Sequence, residues 1–124
     1  IPGLKKNYDV SFGKYTVTDV GGPVTVNALK RGQVDAADLF TTDPSIAAND
    51  FVILEDPKSN FAAQNVVPLI NKAKATDAVK QVLNAVSAKL TTDELLTLNS
   101  TAAGPTKPAV DVVAKDWLTK NGLL

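Results

Sequence analysis

The pattern between residues 14 and 70 constrains this chain more than any other feature. Short alternating or β-branched runs are separated there by glycine, proline and brief helical patterns. Residues 14–18 (KYTVT) alternate and predict a strand. Gly21-Gly22-Pro23 predicts a turn. Pro23 suits the first position of a helix over residues 24–31, and Gly32 suits its C-terminal stop. Residues 34–40 predict a second short strand, which Asp35 and Asp38 make less apolar than a central parallel strand. Thr42 or Asp43 is placed to cap a short helix over residues 44–49 that begins with Pro44. Residues 51–54 predict a third strand of buried type, followed by a loop over residues 57–63. Residues 65–70 predict a fourth. Pro68 has no N–H to give a ladder, so that strand belongs at an edge or a crossing point. Strands alternating with helices predict an α/β fold.

Beyond residue 70 the signals are helical alone. Thr76 caps a predicted helix over residues 77–90, with Val79, Val82, Leu83, Val86 and Leu90 on one apolar stripe. Thr91 and Glu94 have the spacing of a capping box for a helix running to about Asn99. Ala103-Gly104-Pro105 breaks the chain. Pro108 opens a last helix, striped by Val110, Val113, Ala114, Trp117 and Leu118 and ended by Gly122. Residues 1–8 predict the tail of a further helix.

Composition removes several function classes. Thirteen basic and thirteen acidic side chains give a net charge of zero, without a long run of either sign. Binding to a phosphate backbone needs clustered Lys and Arg. The apolar runs fall far short of a membrane span. Cys and His are both absent, so this chain alone builds no thiol nucleophile, Ser-His-Asp triad or Cys/His zinc site. Neither a metal nor another cofactor is predicted. Met is absent too, so Ile1 is not a natural start, and a processed or partial chain is expected. The 124 residues, 44% of them hydrophobic, amount to one domain's worth of chain.

Few side chains suggest chemistry by themselves. Asp35 and Asp38, three apart on a strand, project to opposite faces and do not form a cooperating acid–base pair. Glu55-Asp56 before Pro57 is most simply a solvated strand end. Lys30 and Arg31 read as a solvated helix end, and Trp117 as core. Asn99-Ser100-Thr101 is a formal glycosylation sequon, expected to carry no function.

A set of short motifs resembles a known family. In chain order they are Ala28-Leu29 with Gly32, Val34 and Asp35; Phe40 before Thr42-Asp43; Val52 with Leu54-Glu55-Asp56; and Asn65 with Pro68-Leu69. Their order and spacing resemble the second half of the osmoprotectant-binding proteins of ABC importers, which capture glycine betaine, choline and carnitine. The resemblance covers nearly all of this chain but only part of the family's length. It implies a type II periplasmic-binding-protein-like fold of two lobes, present here in part. Residues 1–63 would belong to the second lobe, residues 64–70 to a crossing strand, and residues 71–124 to helices returning to the first lobe. It implies no enzyme activity, an extracytoplasmic location, and delivery of solute to an importer's membrane subunits.

The resemblance also implies site residues. Phe40 matches an aromatic wall of a cage for quaternary ammonium, where a ring face attracts a cation. It also reads as a strand end filling core. Thr41, Thr42 and Asp43 would be polar groups at the cleft rim; Thr42 and Asp43 also read as caps of the next helix. Family members that bind betaine commonly carry Phe-Pro-Pro-Tyr-Asn where this chain has Phe61-Ala62-Ala63-Gln64-Asn65. An amide at Gln64 replaces a ring, which disfavours glycine betaine and favours a ligand with hydroxyl or carbonyl groups; an exposed loop-end Gln is the alternative. The family's carboxylate-gripping Arg would fall just before Ile1. A different class of function also fits these residues: a small α/β interaction module whose apolar helix stripes pair with a second copy, without a small-molecule ligand.

Overall fold

A computed structural model describes residues 2–124. Its helices are α1 (Pro2–Tyr8), α2 (Pro23–Lys30), α3 (Ser45–Ala48), α4 (Asp77–Lys89), α5 (Thr92–Ala103) and α6 (Val110–Lys120), with a 3₁₀ turn at Lys72–Lys74 between α3 and α4. The expected helix at residues 1–8 corresponds to α1, with Ile1 outside the described residues.

The α/β expectation is corrected among the described residues. The runs 14–18, 34–40, 51–54 and 65–70 form no strand. A β-branched run encodes a preference for pleated, half-buried surface, not the neighbour whose N–H and C=O groups complete a ladder. Without that neighbour the side chains stand in solvent: Val52 is 84% exposed, Leu54 80% and Leu69 98%.

The chain divides into two compact units. The first comprises Ile1–Phe40 and Ser45–Asn65, the second Thr41–Pro44 and Val66–Leu124. In the first unit, α2 begins at Pro23 behind Gly22, which has no side chain to cap it. Asp19 does the capping. Its carboxylate accepts the backbone N–H of Val24 and of Thr25, each at 2.9 Å, and the Thr25 hydroxyl at 2.9 Å. The Thr25 hydroxyl also lies 2.5 Å from that of Thr18, and Thr25 is buried. At the far end Gly32 adopts φ +65°, the left-handed conformation a helix stop requires. The following Gln33 N–H then reaches back to the Ala28 carbonyl at 2.9 Å.

In the second unit the predicted caps form. The Thr76 hydroxyl accepts the Val79 N–H at 3.4 Å, and the Thr91 hydroxyl accepts the Glu94 N–H at 3.2 Å. The capping box is only half made. Glu94 accepts the indole N–H of Trp117 on α6 at 2.7 Å, while the Thr91 N–H turns to the Lys89 carbonyl. A tertiary donor thus takes the carboxylate that the spacing assigned to a local cap. Trp117 and Val113 are the buried apolar side chains of α6, packed where α5 and α6 meet. Their stripe is narrower than predicted, since Val110 is exposed. The stripe of α4 buries no residue. α6 itself starts at Val110, two residues after Pro108. At its end Gly122 takes φ +65°, and Leu123 N–H bonds the Leu118 carbonyl at 2.9 Å. The Asn121 amide bonds the Trp117 carbonyl at 2.9 Å. Lys89 bonds the Asn121 carbonyl at 2.9 Å, tying the end of α4 to the end of α6.

Trp117 therefore joins burial to a charge-assisted hydrogen bond. Trp117→Ala should cost about 3 kcal/mol of stability, from lost burial and an unpaired Glu94. Trp117→Phe, which keeps most of the ring and loses only the N–H, should cost about 1–2 kcal/mol. Urea unfolding followed by far-ultraviolet circular dichroism measures both, and no loss in Trp117→Phe would show that the indole N–H contributes nothing.

Candidate functional site

The residues singled out in the sequence fall in both units. Phe40, Gln64 and Asn65 belong to the first, Thr41 and Thr42 to the second. Phe40 is half exposed, at 53%. Its ring edge is held against the turn that precedes α2. A Cβ added to Gly21, which sits at φ +75°, would lie 3.7 Å from Phe40 Cδ2. The ring therefore lies near this turn and is half open to solvent. Gln64 and Asn65 are exposed, with side chains accessible to a solute. Thr41 and Thr42 lie in a turn just ahead of α3. The Thr42 carbonyl accepts a hydrogen bond from the Asn99 amide of α5 at 2.9 Å.

The chain leading to Gln64 is fixed by a polar interlock that the sequence did not disclose. The Tyr8 hydroxyl at the end of α1 donates to Asp56 and accepts the backbone N–H of Lys58 at 2.8 Å. Lys58 reaches the Asn7 carbonyl through its ammonium group, which stands 5.2 Å from the centroid of the Tyr8 ring. Asn7 bonds Asn60 at 2.9 Å. Asp56 also accepts the backbone N–H groups of Asn60 at 2.9 Å and Phe61 at 2.8 Å. This loop includes Ser59 at φ 49°. The solvated role expected for Asp56 is thus corrected: it is half-buried and organises the loop over residues 56–61. The signal was present as Asp56-Pro57-Lys58-Ser59-Asn60, because Asp side chains bond the backbone a few residues on. Its long-range partner Tyr8 had no such local signature.

These bonds shift three ionisations. The Asp56 carboxyl is held below the usual carboxylate range, first by the Phe61 N–H, then by the Tyr8 hydroxyl and the Asn60 N–H. Asp19 is lowered chiefly by the Val24 N–H, with the N–H and hydroxyl of Thr25 adding to it. Removal from water, then the hydrogen bond to Asp56, raises the Tyr8 phenol above its usual value.

A groove of about 220 Å³ lies in the second unit between α5 and α6, lined by Leu98, Val112 and Trp117 among others. None of the sequence-predicted site residues lines it, so its mostly apolar wall belongs to helix packing. Among the described residues no group of three or more acidic side chains is placed to hold a metal ion, and no helix is long and apolar enough to cross a membrane.

Residues 1–120 match the family described as the substrate binding domain of the ABC-type glycine betaine transport system. The chain belongs to this family. It is similar to the carnitine transport binding protein of Listeria monocytogenes serotype 1/2a (strain 10403S), at 32% identity over 125 residues; the match covers 95% of this chain and 38% of that protein. It is also similar to the ergothioneine transport permease/ergothioneine binding protein of Helicobacter pylori (strain G27), at 28% identity over 124 residues, covering 98% of this chain and 22% of the relative. The chain thus spans well under half the length of these relatives. The family match covers the turn carrying Phe40, Thr41 and Thr42 and the segment carrying Gln64 and Asn65.

The shifted groups set the pH dependence of folding. Asp19 and Asp56 have depressed folded pKa values. Their contribution is therefore complete above the ordinary carboxylate pKa of about 4 and is lost as pH falls through the folded values. Tyr8 has a raised folded pKa, so its contribution holds below about 10 and is lost as pH rises through the folded value. Unfolding by urea at stepped pH should show stability falling on both flanks. Tyr8→Phe should flatten the alkaline flank and make the acid flank shallower, since Asp56 then loses a donor. Unchanged flanks in that variant would show that the interlock does not form in solution.

Proposed function

We propose that this chain is part of the solute-binding component of an ABC importer, acting outside the cytoplasm on compatible solutes or related small polar cations. The family membership of residues 1–120 carries this reading, and it favours solute capture over catalysis. In the whole protein, solute is captured between two lobes, and hinge closure presents the closed form to the importer's membrane subunits. Residues 1–63 form part of the second lobe of a type II periplasmic-binding-protein-like fold, residues 64–70 the crossing, and residues 71–124 the helices returning to the first lobe. The boundary between compact units at Asn65–Val66 lies inside that crossing and supports the division.

The proposed contacts are Phe40, Thr41, Thr42, Gln64 and Asn65. The half-exposed ring of Phe40 suits a quaternary ammonium group, worth about 0.5–2 kcal/mol per ring. Gln64 offers an amide that bonds hydroxyl or carbonyl oxygen. A cation that also bears a hydroxyl, such as carnitine, uses both, whereas glycine betaine has no hydroxyl for the amide. The name of the Listeria relative agrees with that choice. Titration calorimetry on the natural full-length polypeptide should rank carnitine above glycine betaine. Gln64→Tyr should strengthen glycine betaine binding by the worth of one ring, about 0.5–2 kcal/mol. Micromolar binding of betaine by the unmutated protein would refute the role given to Gln64. Failure of every quaternary ammonium and hydroxylated aromatic solute to bind would refute solute capture.

Self-association is a second reading, over which family membership favours solute capture. Val52, Leu54 and Leu69 are at least 80% exposed, and Val82 on α4 is also exposed. A second copy would cover such exposed apolar side chains. Light scattering on the 124-residue chain should then give a mass above that of a monomer. A monomer with a cooperative thermal melt at high concentration would remove this reading.

A further inference from the structure

The turn that carries Thr41 and Thr42 has an unusual place in the chain. Phe40 before it and Ser45 after it belong to the first compact unit, while Thr41–Pro44 belongs to the second. Within the second unit a bond from the Asn99 amide of α5 reaches its Thr42 carbonyl, at 2.9 Å and 57 residues away in sequence. Asn99 is half-buried on α5, so the bond is shielded from exchange with water. A partly buried carbonyl left without its donor carries a desolvation penalty, and that penalty holds the turn in its observed orientation. A peptide plane moves as one body. Fixing the Thr42 carbonyl therefore fixes the Asp43 N–H behind it and the direction in which Thr41 and Thr42 leave the chain.

We infer that Asn99 is a positioning residue for the solute site: its amide locks the Thr42–Asp43 peptide and so sets how Thr41 and Thr42 meet the solute. This rests on the solute-binding reading above and adds a residue from α5 that does not itself touch solute. It also gives a use to the first residue of the Asn99-Ser100-Thr101 sequon. The amide nitrogen that a glycan would modify is committed to Thr42.

The test uses the natural full-length polypeptide, with carnitine as the probe, in titration calorimetry. Asn99→Ala removes the donor. Asn99→Asp keeps the shape but sets a carboxylate oxygen against a carbonyl oxygen. Asn121→Ala is the comparator: it deletes another half-buried side-chain bond of the second unit, to the Trp117 carbonyl, away from the proposed site residues. Asn99→Ala should weaken carnitine binding about fivefold and Asn99→Asp about tenfold, the range expected for one lost hydrogen bond. Asn121→Ala should lower the melting temperature comparably yet change affinity less than about twofold. In the ligand-free protein, Asn99→Ala should also shift the Thr42 carbonyl ¹³C and Asp43 amide ¹⁵N resonances, a signature of the broken bond that general destabilisation does not give. Both Asn99 variants binding carnitine like the unmutated protein would overturn the assignment. So would an equal loss of affinity in Asn121→Ala. An unmutated protein that binds no quaternary ammonium solute would instead bring down the solute-binding reading, and the role of Asn99 with it.

Discussion

Among the described residues, Val113 and Trp117 are the buried apolar side chains. So thin a core contributes only a few kcal/mol through burial, and directional polar contacts must place the rest of the chain. The contact between Trp117 and Glu94 shows how. Indole burial supplies the hydrophobic part, and the charge-assisted N–H bond at 2.7 Å fixes the register of α6 against α5. Asn121 and Lys89 extend that anchor to the end of α4. In the first unit, Asp19 and Asp56 take the same part without an apolar core. Asp19 gathers donors from the first turn of α2, and Asp56 from the loop over residues 56–61, each fixing its segment.

The same economy shapes the candidate site. Each proposed contact residue lies beside a polar or steric device. Phe40 packs by one ring edge near Gly21, and Thr42 is held through its carbonyl by Asn99. Gln64 follows a loop whose conformation Asp56 and Tyr8 dictate. The bonds at Thr42 and in the loop before Gln64 use backbone groups, and the side chains of Phe40, Gln64 and Asn65 stay exposed. That arrangement suits a binding site, where preorganised backbone lowers the entropy lost when a ligand is captured.

Legibility of the chain followed the range of each interaction. Thr76 and Thr91 cap the helices that their positions predicted, and Gly32 and Gly122 stop theirs. Each of those bonds closes within five residues, so local sequence contains both partners. The four predicted strands failed for the opposite reason, since strand pairing needs a partner that no local pattern names. Glu94 was placed correctly but assigned the wrong partner, because Trp117 lies 23 residues away. Asp56 reads locally as a solvated strand end, because its partner Tyr8 lies 48 residues back.

Family membership and the candidate residues Phe40, Thr41, Thr42, Gln64 and Asn65 were legible in the sequence alone, through the order and spacing of short motifs. So were the threonine caps of α4 and α5 and the glycine stops of α2 and α6, through chemistry acting one turn away. Tertiary structure alone decided which carboxylates bind distant donors, how much of each apolar stripe is covered, and that Asn99 serves the turn at Thr42. The physical reason is that a hydrogen bond or a buried face needs two surfaces brought together. A sequence states the capacity of each surface, and only folding selects the pair.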